Sequence, residues 1–121
     1  MANPKLLPPE VMAKSFGIGQ LRRHIFLCLG PDCCDKSAGH EAWDYLKKRL
    51  KELNLAAADG SVFRTKADCL RICIEGPIAV VYPEGAWYRH ANPQNLERII
   101  QHHLIQGTIV EDLCFARNPL T

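Results

Sequence analysis

No apolar run in this 121-residue chain is longer than five residues, and the longest are Ile25–Leu29 and Ile78–Tyr82. A membrane-spanning helix needs about 20 such residues, so no membrane partner is expected. The opening MANPKLLPPEVMAK carries three prolines and no apolar h-region. It does not read as a secretory signal, and a cytoplasmic location is expected. Charge of one sign is not in excess either, because 15 basic and 13 acidic residues leave a net charge of +2. A nucleic-acid partner asks for a clearly basic face, so none is expected. The sequence shows no phosphate loop, paired-carboxylate motif or nucleophile–base constellation, and no C-x-x-C of the thiol–disulfide enzymes. A non-catalytic protein is expected.

Hydrophobic residues make up 47% of the chain and charged residues 23%, which excludes wholesale disorder. At 13.6 kDa one domain buries about two-thirds of its extended-chain surface, enough for a core without disulfides. Six cysteines are nevertheless present: Cys28, Cys33, Cys34, Cys69, Cys73 and Cys114. In a reducing cytosol they point to metal or redox chemistry before cross-links.

Residues 1–21 form a Pro- and Gly-containing extension, expected to be irregular or partly draped, with Leu6-Leu7 and Val11-Met12 as its apolar content. His24–Cys28 reads as a strand running straight into a cysteine and stopped by Gly30-Pro31. Trp43, Leu46, Leu50 and Leu53 then fall on one face of an amphipathic helix. That helix is expected from near Ser37 to Asn54, with a turn at Asp59-Gly60. Val62–Lys66 alternates like a half-buried strand, and the cysteine segment ADCLRICIEG follows as a loop. Ile78–Tyr82, Pro83-Glu84-Gly85 and Ala86–His90 read as strand, turn and strand. Asn92 as N-cap, Pro93 at the first helical position and Gly107 beyond the end frame a last helix, with Leu96, Ile99, Ile100 and Leu104 on one face. The order predicts an α/β (mixed α+β) fold, with a parallel pair and an antiparallel hairpin in one sheet. Residues 111–121 are left as a tail, and Cys114 within it as a buried or free thiol.

The run Lys47-Lys48-Arg49-Leu50-Lys51 is the densest positive patch. It reads as a solvated helix face, the alternative being a docking patch for an acidic partner. His40, His90, His102 and His103 are scattered, without the spacing of Rieske-type ligands.

The cysteines carry the chemistry. Cys28–Cys33 is C-x4-C, Cys69–Cys73 is C-x3-C, and 35 residues separate the two clusters. If the first two strands lie parallel and adjacent, both clusters emerge at one edge of the sheet. Four thiolates suit zinc or an iron–sulfur cluster. Zinc favours short C-x2-C chelating loops, whereas a two-iron cluster accepts wider and less regular ones. Gly30 and Gly76 allow close backbone approach, loop N–H groups are candidate donors to sulfur, and Lys66 and Arg71 stand where they offset negative charge.

HIFLC, C-x3-C before Gly-Pro, EGPIAVVYPEGAWY and a helix ending HHLIQG together resemble the thioredoxin-like 2Fe–2S ferredoxins. The cluster domain of the small 2Fe–2S subunit of respiratory complex I is similar. The resemblance covers residues 22–110. It implies a thioredoxin-like mixed sheet of about four strands flanked by two main helices, often in a homodimer. It also implies one 2Fe–2S cluster per chain and one-electron transfer between a donor and an acceptor enzyme. Carried over by position, the ligands are Cys28, one of Cys33 and Cys34, Cys69 and Cys73. The complex I subunit spacing favours Cys33. The competing reading is a non-redox module with a structural four-cysteine zinc site.

Overall fold

The apolar run after Arg22 becomes β1 (Arg23–Cys28) in the computed structural model, which describes residues 7–56 and 61–120. Ile25 and Leu27 point to one side and are fully buried, while His24 and Phe26 point to the other and are half-buried. This is the two-residue period of a strand. After the cysteine-bearing loop, α2 (Lys36–Glu52) buries Ala42, Trp43, Leu46 and Leu50, and Leu53 is half-buried just past its end. The Asp59-Gly60 turn and Leu6 lie outside the described residues.

The chain returns as β2 (Val62–Ala67), which pairs in parallel with β1 from Arg23↔Val62 to Cys28↔Ala67. It then passes through the second cysteine loop into β3 (Ala79–Tyr82) and β4 (Ala86–Tyr88), both antiparallel to their neighbours. The arm expected through His90 ends at Tyr88. Arg89 N–H turns to Leu113 O at 3.1 Å, and His90 adopts φ 49°, which no strand continues.

Asn92 caps α3 (Pro93–Arg98), accepting the Asn95 N–H at 2.9 Å, a contact worth about 1 kcal/mol. Beyond Arg98 the helix continues as a π-helical segment, Ile99–Ile105. The wider turn brings His103 into the core beside Ile99, Ile100 and Leu104. Tyr88 Oη accepts Val110 N–H at 3.1 Å and lies 2.7 Å from His103 Nδ1, so its own proton goes to that nitrogen. The imidazole proton then sits on Nε2 and is donated to Glu84 at 2.8 Å.

Two elements were not expected from the sequence. The extension forms a short helix, α1 (Pro9–Ser15), with no buried residue. The tail supplies a fifth strand, β5 (Cys114–Arg117), antiparallel to β4. The sheet order is β2-β1-β3-β4-β5. The register places Ile25, Val81 and Ala86 in one row and Leu27, Ala79 and Tyr88 in the next. Both rows belong to the same buried cluster as the apolar faces of α2 and α3. Arg49 and Glu97 tie the two helices together bidentately at 2.8 and 3.0 Å, with Tyr45 O–H on the same carboxylate at 2.6 Å.

Candidate metal centre

Parallel pairing brings both cysteine loops to one edge of the sheet. Cys28 closes β1 and its register partner Ala67 closes β2, so both strands deliver their cysteine loops to the same edge. Cys28 Sγ lies 3.6 Å from Asp68 O, one residue before Cys69. Across the first loop, Cys33 and Cys34 hold their sulfurs 3.8 Å apart.

The two loops brace one another through backbone. Gly76 N–H donates to Cys33 O at 2.8 Å. A Cβ on Gly76 would stand 2.6 Å from that oxygen and 2.8 Å from the Cys33 carbonyl carbon. Only glycine permits this approach. In the second loop Arg71, at φ 74°, turns its N–H onto Cys69 Sγ at 3.2 Å. Its side chain and that of Lys66, both expected as charge compensation, are exposed. Arg71 therefore touches the site through its amide.

Cys28 and Cys33 are buried, Cys34 is half-buried, and Cys69 and Cys73 are exposed. Burial pushes the thiols of Cys28, Cys33 and Cys34 up from their ordinary value. The hydrogen bond with Cys69 pushes Cys73 up. Thiols of this kind give up their protons to a metal rather than to water at neutral pH. Among the described residues, no three Cys, His, Asp or Glu side chains meet at single-ion distance. The first loop carries Cys28, Cys33 and Cys34 and the second Cys69 and Cys73. A 2Fe–2S cluster is held by four cysteine thiolates spread over two irons, and two loops with at least two cysteines each supply that number. The donor set fits the cluster.

No protein-family model matches the chain. Relatives do. The chain is 30% identical over 99 residues to a 2Fe–2S ferredoxin of Clostridium pasteurianum, covering 76% of this chain and 94% of that one. It is 29% identical over 104 residues to a 2Fe–2S ferredoxin of Aquifex aeolicus, covering 78% and 90%. The solved thioredoxin-like [2Fe–2S] ferredoxin from Aquifex aeolicus superimposes with a TM-score of 0.67 at 25% identity, over 84% of this chain and 98% of that one. The chain belongs to the thioredoxin-like 2Fe–2S ferredoxins.

Around its cysteines this ferredoxin builds an apolar shell separate from the main core. Ile78 is buried with Cys28 and Cys33, and Leu70, Ile72, Trp87 and Phe115 pack on them half-buried. Trp87, on the second arm of the hairpin, thus also shields the cysteines. Phe115 was missed, because it stands on a tail whose strand has no periodic signal. It is further covered by Arg89, whose guanidinium sits 5.4 Å from its ring. Cys114, its neighbour, packs on the main core instead and donates to Ala116 O at 3.4 Å. Of the histidines, His40, His90 and His102 are exposed and His103 is the buried partner of Tyr88.

Proposed function

We propose that this ferredoxin holds one 2Fe–2S cluster per chain on Cys28, Cys33, Cys69 and Cys73, and carries single electrons between a donor and an acceptor enzyme. The observation that carries the reading is the delivery of two cysteine pairs to one sheet edge by the parallel strands β1 and β2. When bound, the cluster supplies a one-electron redox couple. The chain's own part is to hold, shield and tune it. The Arg71 N–H stabilises charge on Cys69 sulfur and so raises the potential. Ile78, Trp87 and Phe115 keep water from the Cys28–Cys33 side. Cys69 and Cys73 form the open side, next to Ile74, which is 67% exposed. That side is where electrons enter and leave.

Cys33 is assigned over Cys34 because it preserves C-x4-C and is the more buried of the two. Cys34 becomes a spare thiol within reach of its neighbour. The working unit is residues 22–110 with β5 added from 111–121. The protein acts in the cytoplasm as a carrier rather than an enzyme, and as a homodimer. Support for the dimer comes from the sheet face opposite α2 and α3, where His24 stacks on Phe26 and Phe26 lies edge-on to Tyr82.

The test is the purified chain and its serine variants. The wild type should contain iron and acid-labile sulfide in equal amounts. Cys33→Ser should lose the cluster or keep a spectroscopically altered one, and Cys34→Ser should leave spectrum and iron content nearly unchanged. Bleaching by Cys34→Ser alone moves the ligand by one residue, and zinc without sulfide in the wild type overturns the reading.

A further inference from the structure

The basic run of α2 lies along the free edge of the sheet. β2 is the outermost strand on that side, and an open groove follows its first half. Trp43, Val62, Phe16 and Phe63 line it together with Lys47, Lys48 and Lys51 of α2, against which Asp44 is the one carboxylate in the lining.

The backbone of β2 is available along this groove. Ser61 O accepts from Arg22 and Arg23, and Ala67 O accepts from Leu29. Odd-numbered residues of β2 therefore face β1, and the alternation of the ladder turns Val62, Arg64 and Lys66 outward. Val62 N–H is taken by Leu55 O at 3.0 Å. Among the described residues, the amides of Arg64 and Lys66 have no hydrogen-bond acceptor. Such an edge is a template for a further strand.

Charge states what that strand carries. The Arg64 guanidinium lies 5.5 Å from the centre of the Trp43 ring, and its Nε is buried without a hydrogen-bond partner. Among the described residues no carboxylate pairs with Arg64, Lys48 or Lys51, and Lys47 has only the loose contact to Asp44 at 3.6 Å. Successive side chains of an added strand point to opposite sides. One set would meet Arg64 and the lysines, and the other would meet Phe16 and Phe63.

We propose that the free edge of β2 is a docking site for an extended, acidic segment of a protein partner, with acidic and apolar residues alternating, which adds to the sheet as a strand. A second copy of this chain is disfavoured as the occupant, because pairing two β2 edges sets one lysine row against the other. Arg64 stands three residues before Ala67, about 10 Å along the strand from the cysteine edge. A partner held here is therefore close to the open side of the site. The surface contains no cysteine, so the proposal stands independently of the cluster.

The experiment uses the full chain as purified and a fluorescent Val-Glu-Val-Glu-Val-Glu-Val-Glu peptide, followed by anisotropy. Saturable binding is expected, weakening as salt is raised, with slowed hydrogen exchange at the Arg64 and Lys66 amides. The exposed triple variant K47E/K48E/K51E, checked by circular dichroism for an unchanged fold, should weaken binding at least tenfold, and K47R/K48R/K51R should keep it. The proposal is overturned if the peptide does not bind, if the charge reversal has no effect, or if a control peptide with Lys in place of every Glu binds equally. Binding without protection of those two amides, or equal binding of single-stranded DNA, also overturns it.

Discussion

The two buried regions of this ferredoxin are made by different means. Under α2 and α3 the core is built of mostly aliphatic side chains from two helices and four strands, with Trp43 and Tyr88 among them, and is closed without cysteine ligands. Leu46, Leu50, Leu96, Ile99 and Ile100 are all fully buried there. At the cysteine edge the buried apolar cluster is small, Cys28, Cys33 and Ile78 among the described residues, and the loops hold their shape by backbone contacts. Arg71 and Glu75 both adopt positive φ. Side-chain packing secures the first region, and close approach of main chain secures the second. The stable part of the molecule is thus insulated from the part that does the chemistry.

The difference is broken most forcefully by truncation on the helix side. Leu46→Ala should cost about 2–5 kcal/mol in urea unfolding, since the site is enclosed on all sides, while the cysteine loops keep their spectrum at low urea. A cluster signal lost in proportion to stability would show that the two regions are not separate. Gly76→Ala is the converse. The new Cβ meets Cys33 main chain rather than a flexible tip, and overpacking of this kind costs about 1–3 kcal/mol. Most of the effect should appear as weakened iron retention against a chelator, because the loop carrying Cys33 must move. Unchanged iron retention would mean that the brace does not matter.

The smallest effect is acid. Burial holds His103 below its usual 6.5, outweighing the pull of Glu84. Its contribution is complete above the unfolded value and fades as pH falls through 6.5 toward the folded one. Glu97, held down to about 2 chiefly by Arg49, loses its own contribution only as pH falls from 4.5 toward that value. Urea midpoints should therefore decline first as pH falls below 6.5, and the decline should shrink in His103→Gln, leaving the part due to His24, which burial also holds down. A midpoint that rises over that window contradicts the buried neutral imidazole.

How much of this was legible beforehand follows the same division. Strand alternation in β1, the apolar stripe of α2 and the Asn92-Pro93 cap each state their structure locally, so the helix-covered core could be read from sequence. Four strands and their parallel and antiparallel senses came with it. The π-helical segment has no such mark, because Ile99, Ile100 and Leu104 fit an α-helical stripe equally well, and Tyr88 and Glu84 draw His103 inward from elsewhere in the chain. β5 was unreadable for a related reason: Cys114 and Phe115 are half-buried and Ala116 and Arg117 exposed, so only the open edge of β4 makes them a strand. At the cysteine edge, spacing and resemblance named the candidate ligands. The Gly76–Cys33 brace and the Phe115 cover depend on contacts 43 and 37–87 residues apart, and no local pattern announces those.

Phe115 lies 42 residues after Cys73. During synthesis at about 5–20 residues per second, that interval lasts roughly 2–8 s. For those seconds a growing chain already carries all four proposed ligands, but not the aromatic ring that will cover Cys28 and Cys33. Until β5 arrives the first cysteine loop is open on the side that Phe115 later covers, and afterwards only the Cys69–Cys73 side faces solvent.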